Sequence, residues 1–283
     1  MLVAAVQLCS GPDRERNLAT AAHLTAEAAG RGARLVVLPE MVNVLGTGQQ
    51  LRDGAEPADG PTASWAADQA RHHGVWLVAG SFIEQRHDGT RRNTSLLVAP
   101  WGEVVASYQK VHLFDCDVPG AEFHESAVTS PGDAPVVADT GDLGLRVGMT
   151  ICYDLRFPYL YRDLAHAGAT MLSIPSSFTV PTGQAHWHAL MRARAIETGC
   201  FVFAPAQVGT HKGSNRKTYG HSVAVAPWGE VLADAGGETA GFVVADIDLG
   251  KVAEARKMVP SLTHDRKYST PVLHKPGLAR AAE

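Results

Sequence analysis

The sequence predicts an α/β protein whose two related halves set two mixed sheets face to face, with helices covering both outer faces. Two observations carry this expectation. Short continuous apolar runs such as Ala33 to Leu38 alternate with longer helical segments, and a strand buried on both faces reads that way. The chain also echoes itself. Ala99-Pro100-Trp101-Gly102-Glu103-Val104-Val105-Ala106 returns as Ala226-Pro227-Trp228-Gly229-Glu230-Val231-Leu232-Ala233, each behind a matching apolar strand. Gly32-Ala33-Arg34-Leu35-Val36-Val37-Leu38-Pro39 returns as Gly168-Ala169-Thr170-Met171-Leu172-Ser173-Ile174-Pro175 at nearly the same offset, so the repeat concerns whole units.

The elements follow in order. Leu2 to Leu8 is a first strand, and Asp13 to Gly30 is an amphipathic helix stopped by Gly30 and Gly32. Ala33 to Leu38 is a buried strand ending in Pro39-Glu40; Met41 to Pro61 has no period and reads as a loop lining a site. Thr62 to His73 is a helix. Val75 to Phe82 and Arg91 to Ala99 are strands, and Val104 to Gln109 is a hairpin return leading to Lys110. Residues 116 to 134 are irregular, and Val136 to Asp139 pairs with Leu143 to Ile151 around Gly141. Helices are expected over Pro158 to Ala167, His186 to Thr198 and Leu249 to Met258, and strands over Thr170 to Ile174, Cys200 to Ala206, Gly220 to Ala226, Val231 to Asp234 and Gly241 to Ile247.

With 283 residues and no linker or low-complexity stretch, the chain reads as one domain over residues 1–258. Residues 259–283 are a basic arm or tail, placed at an oligomer interface. Hydrophobic content of 45% and charged content of 19% fit a soluble globular protein, and a net charge of -4 argues against nucleic acid as a partner. No apolar run approaches the roughly 20 residues needed to cross a bilayer, and Met1 to Leu8 carries no basic leader. Cys9, Cys116, Cys152 and Cys200 form no C-x-x-C pair and suggest neither a zinc site nor a disulfide framework, which points to a cytoplasmic setting. Cys9 and Cys200 read as core and Cys116 as a loop residue. Asn93-Thr94-Ser95 matches a glycosylation sequon, but without a secretory signal the match reads as chance.

Three groups carry candidate chemistry: Glu40, Lys110 and Cys152, each just past a strand. A thiol is mostly protonated near neutrality, at a free pKa of about 8.5. A carboxylate beside it can take its proton and later activate water. An ammonium can stabilise a thiolate and the oxyanion of a tetrahedral intermediate. Those parts suit acyl transfer from an amide. Spacing alone leaves the bland alternatives open: a buried core cysteine, a helix-capping Glu40, a surface Lys110. His186 and His188 lie two apart on a helix and face different ways, so they do not make a metal site. Arg192, Arg194 and Glu197 read as a structural ion network.

Leu38-Pro39-Glu40, Tyr108-Gln109-Lys110-Val111-His112-Leu113-Phe114-Asp115 and Ile151-Cys152-Tyr153-Asp154-Leu155-Arg156-Phe157-Pro158 together resemble the nitrilase superfamily, the carbon-nitrogen hydrolases. The resemblance implies a four-layer αββα sandwich with pseudo-twofold symmetry, no cofactor, and a homodimer or larger homo-oligomer. It implies Glu40 as general base, Lys110 as oxyanion stabiliser, Cys152 as nucleophile, and Glu125 as a second glutamate positioning Lys110 and the substrate nitrogen. The Tyr153 N–H becomes the other oxyanion donor. Pro175 to Gly183, Ala185-His186-Trp187 and Arg192 to Glu197 resemble the Nit branch, nearest its deaminated-glutathione amidases, with Arg156 and Thr182 on a substrate carboxylate and Phe178 shaping the pocket. A guanidinium fork matches a carboxylate bidentately. Arg156 has a structural alternative, pairing with Asp154 or a neighbouring helix, and Glu125 one as well. His188 stands where the branch usually has glutamate, and Asn43 to Gly46 replaces an aromatic-rich segment. An ω-amidase, an N-carbamoyl amino acid hydrolase and a catalytically silent binding protein are the rival readings.

Overall fold

The computed structural model describes residues 1–117, 123–214 and 216–273. In chain order the first part holds β1 (Leu2–Gln7), α1 (Arg14–Gly30), β2 (Ala33–Val37), α2 (Gly48–Asp53), α3 (Pro61–His73), β3 (Trp76–Val78), β4 (Phe82–Gln85), β5 (Arg91–Val98) and β6 (Val104–Gln109). A short pair, β7 (Asp115–Cys116) and β8 (Phe123–His124), leads on to β9 (Val136–Asp139), β10 (Arg146–Met149), α4 (Pro158–His166), β11 (Met171–Ser173), α5 (Val180–Thr198) and β12 (Phe201–Ala204). The chain ends with β13 (Val208–Thr210), β14 (Lys217–Tyr219), β15 (Val223–Val225), β16 (Val231–Asp234), β17 (Gly241–Asp246) and α6 (Gly250–Met258).

Two mixed sheets result. One runs β17-β1-β2-β3-β5-β4 with β6 on the other edge of β5; the second runs β16-β15-β12-β11-β10-β9. The internal echo has a structural counterpart. Parallel β1-β2-β3 matches parallel β10-β11-β12, and the Trp101 hairpin β5–β6 matches the Trp228 hairpin β15–β16. Antiparallel β9 flanks β10 as β17 flanks β1. The first sheet therefore takes its flanking strand from the far end of the chain, with Leu2 opposite Asp246, so the first half does not complete its sheet alone.

Side-chain alternation sorts the layers. Val3, Ala5, Leu35 and Val37 point into a core shared with Val147, Met149 and Met171 of the second sheet. Ala4, Val6, Val36 and Leu38 point the other way, onto Ala21 and Leu24 of α1 and Ala66 and Ala70 of α3. Helices α4 and α5 cover the second sheet through Leu160, Leu164, Trp187 and Met191. This is a four-layer αββα sandwich. Each fully buried Val or Leu contributes about 1.5–3 kcal/mol, so both strand faces are committed to packing.

Several expected boundaries move. Val75 to Phe82 is two strands, not one, because Gly80 turns with φ +63 and lies so close to the Pro39 carbonyl that a Cβ would stand 2.1 Å from that oxygen. That close approach sets the Glu40 turn against Ser81, whose Oγ accepts from Met41 N at 3.2 Å. The Met41 to Pro61 stretch contains α2, with a capping box between Thr47 and Gln50. Helix α5 starts at Val180 rather than His186, since Pro181 falls in its first turn, where the missing N–H costs nothing. The Leu143 to Ile151 strand shortens to Arg146–Met149, as Gly141–Leu143 forms a 3-10 turn. The β13–β14 hairpin was not expected. Cys9 is exposed, not core, because β1 ends at Gln7; Cys200 is buried. Residues 118–122 of the irregular stretch, and the tail beyond 273, lie outside the described residues. The start of the tail packs on α4, where Arg162 and His166 clasp Asp265.

Candidate active site

Each candidate side chain leaves its element at a bend. Glu40 follows β2, and Met41 beside it adopts φ +57. Lys110 follows β6; its N–H donates to Asn93 O at 2.9 Å, and its carbonyl accepts from Gly132 N at 2.8 Å. Cys152 follows β10 and opens a 3-10 turn with φ +47, a left-handed conformation costly for a residue with a Cβ. Its N–H donates to Pro175 O at 2.9 Å. Asp154 closes that turn, accepting from Ile151 N at 2.9 Å, and the same carboxylate accepts from Tyr108 OH at 2.7 Å and from His112 N at 3.0 Å. Arg194 of α5 supports the turn from behind, donating to Leu155 O at 2.6 and 2.9 Å.

The bends bring Glu40, Lys110, Glu125 and Cys152 to one cleft. Lys110 Nζ, 2% exposed as a residue, lies 2.9 Å from Glu40 Oε1 and 2.8 Å from Glu125 Oε2. Sequence reasoning missed Asn93. Its Nδ2 donates to Glu40 Oε1 at 2.9 Å and to Glu125 Oε1 at 3.0 Å, so one amide steadies both carboxylates. The sequence offered little signal, because Asn93 stands among polar neighbours, Arg91 to Ser95, and only the fold shows that it is fully buried. Phe114 N donates to Glu125 Oε2 at 2.8 Å.

Burial pushes the Cys152 thiol well above its ordinary value, and the Glu40 carboxylate beside it pushes the same way. Lys110 and the Ser177 N–H pull it down without prevailing. Burial works against the Lys110 ammonium, but Glu125, Glu40 and Cys152 outweigh it and hold the group charged. The resting arrangement is a neutral thiol beside a carboxylate that can accept its proton.

A second narrow cleft opens on the same thiol, lined by Tyr153, Arg156, Phe178, Thr179 and Thr182. Cys152, Phe114 and Ser177 belong to both clefts. Arg156 is not bonded to Asp154; its Nη1 lies 3.2 Å from His186 Nδ1 and its guanidinium 5.5 Å from the Phe178 ring centroid. Arg216, also missed, lines the first cleft, donating to Ser177 O at 3.0 Å and lying 4.9 Å from the Phe123 centroid. Arg194 pairs with Glu197 at 2.8 Å and Arg192 Nε donates to Gly229 O at 2.8 Å. A roomier cleft of about 490 Å³, between α5, α6 and the Trp228 turn, contains none of the candidate groups. His188, His221 and Asp234 bring three ligand-type atoms within 4.8 Å, but both histidines are already hydrogen-bonded to Asp234, at 2.7 and 3.0 Å, and none of the three lines either Cys152 cleft.

Fold and site together set a buried cysteine, an ammonium and two carboxylates in one cleft of a four-layer α/β sandwich. The chain belongs to the carbon-nitrogen hydrolase family, whose model matches residues 2–257, and it is an amide-hydrolysing enzyme. It is 41% identical over 267 residues to a deaminated glutathione amidase of Synechocystis, covering 93% of this chain and 97% of that protein. An omega-amidase of Xenopus laevis is 39% identical over 256 residues, 90% of this chain and 91% of that one. The crystal structure of the C. elegans NitFhit protein superposes with a TM-score of 0.85 at 36% identity, covering 94% of this chain and 65% of that one.

Proposed function

We propose that the protein hydrolyses deaminated glutathione through a thioester on Cys152. One observation carries the reading: the thiol sits where a cleft holding two carboxylates and an ammonium meets a cleft bearing Arg156 and Thr182. The Cys152 sulfur attacks the amide carbon as its proton passes to Glu40. Lys110 and the Tyr153 N–H stabilise the oxyanion. Glu125 holds Lys110 in place and faces the nitrogen. Collapse breaks the C–N bond, and Glu40 returns the proton to the leaving amine. Water then attacks the thioester, giving its proton to Glu40, and the thiol is restored. Arg156 and Thr182 hold the carboxylate of the acyl arm, against a wall supplied by Phe178.

The test follows products by mass. Deaminated glutathione must give 2-oxoglutarate and cysteinylglycine, with an acyl adduct trapped on the parent and none on Cys152→Ala. No adduct and no turnover would overturn the reading. The likeness to the Xenopus omega-amidase supports a second reading, 2-oxo acid ω-amides, in which ammonia is the other product.

A homodimer and a cytoplasmic setting complete the proposal. Exposed Tyr159, Ile196, Trp228, Met258 and Val259 offer apolar surface for a second copy, and all four cysteines are free thiols. A monomer mass by light scattering would refute the dimer.

A further inference from the structure

The two clefts meet at the thiol, and each carries one arginine: Arg156 in one, Arg216 in the other. A carbonyl carbon bonded to Cys152 must send its two arms in different directions. The leaving nitrogen has to face Glu40, which supplies its proton, so the amine arm lies in the cleft that holds Glu40, Glu125 and Arg216. The acyl arm then lies with Arg156.

The charge balance of the amine cleft is unusual. Lys110 gives two of its three donors to carboxylates, at 2.9 and 2.8 Å, and its single charge does not offset both. Glu40, Glu125 and Lys110 together leave one net negative charge, which would repel an anionic leaving group. Arg216 reverses this. Among the described residues it has no acidic partner; its Nη2 donates to the Ser177 carbonyl at 3.0 Å, and its face rests on Phe123. A guanidinium has five donors in a planar fork, and that single bond leaves most of them to meet another group. Ser177 itself lines both clefts, which fixes the fork beside the junction rather than at the distant surface.

We infer that Arg216 reads a carboxylate on the amine arm of the substrate, making the enzyme selective for amides whose leaving group is anionic. This rests on the amidase reading above and sharpens it. A substrate with a carboxylate at each end spans from Arg156 to Arg216 across the thiol. A simple ω-amide, whose leaving group is ammonia, has nothing to offer Arg216.

Deaminated glutathione and its C-terminal carboxamide differ only in the charge at the far end of the amine arm. The parent should favour the carboxylate by about 10- to 100-fold in kcat/KM, the usual worth of a hydrogen bond to a charged group. Arg216→Gln should bring the ratio to within about 2-fold, chiefly by slowing the carboxylate substrate, and Arg216→Lys should keep part of the preference. Arg156→Gln should slow both substrates alike. Thermal melts of each variant report folding. If Arg216→Gln slows both substrates equally and keeps the ratio, Arg216 merely props Ser177 and the inference falls. A parent that hydrolyses both with equal efficiency also overturns it, while leaving the amidase reading intact. A parent that hydrolyses neither overturns both.

Discussion

Tyr108 and Asp154 share a 2.7 Å hydrogen bond in a place no solvent reaches. The bond crosses from the lysine strand of one sheet to the cysteine turn that follows a strand of the other. Asp154 also accepts from Ile151 N, so one carboxylate both shapes the Cys152 bend and fixes its distance from Lys110. Removing the hydroxyl leaves a buried acceptor short of a donor. Tyr108→Phe should cost about 1.5–3 kcal/mol in urea denaturation and lower kcat without raising KM. Unchanged stability and turnover would mean that the two sheets hold their register without this bond.

Asn93 sets a second relationship, between like charges. Glu40 and Glu125 both take a hydrogen bond from its single Nδ2. Asn93→Ala should lower kcat by about 10- to 100-fold with KM nearly constant, since the loss is one of alignment, worth about 1.4 kcal/mol per tenfold. Asn93→Asp adds a third carboxylate and should be worse. Steady-state kinetics on melt-checked variants decides; a pure KM effect would place Asn93 in substrate binding instead.

The thiol should not titrate like a free one. Burial first, then Glu40, raise its pKa, so it stays protonated through neutral and mildly alkaline pH. Alkylation of Cys152 by a neutral reagent should lack the rise near about 8.5 of an ordinary thiol. Glu40→Gln removes one raising charge and leaves Lys110 opposing burial, so thiolate should form at lower pH while hydrolysis falls by about 10²–10⁴-fold. A parent profile centred on the free-thiol value would contradict this account of the site.

His211 gives the fold an acid limit. It is buried, with Nδ1 2.7 Å from the Ser10 carbonyl, a pure acceptor, and Nε2 2.7 Å from Thr218 Oγ1. Nδ1 therefore carries the proton and Nε2 accepts. Burial lowers its pKa below 6.5, Arg216 adding to the shift against the Ser10 contact. The unfolded chain thus binds a proton first as pH falls. This contribution is complete above about 6.5 and is lost as pH drops through that value toward the lower folded one. His211→Gln should flatten the fall in unfolding free energy between pH 8 and 5, and an identical slope in parent and variant would count against the assignment.

Much of the architecture was readable because it is local. Alternating Val3 to Val6, the double-sided run at Leu35 to Leu38 and the repeated Pro-Trp-Gly hairpins all encode which face is buried. Strand β4 and the start of α5 were misread where Gly80 and Pro181 act through context. Gly80 turns because Pro39 is pressed against it; Pro181 sits harmlessly in a first turn.

The sequence alone determined the layers, the internal repeat and the motif residues Glu40, Lys110 and Cys152, because strand and helix periods and short motifs are written in neighbouring positions. Only the tertiary structure decided that Asn93 would join Glu40 to Glu125, that Asp154 would tie the cysteine turn to Tyr108, and that Arg216 would face the cleft opposite Arg156. The physical reason is range. A hydrogen bond is set within about 3 Å by atoms whose residues lie tens of positions apart, and nothing in a local pattern records which distant strand ends the sheets will bring together.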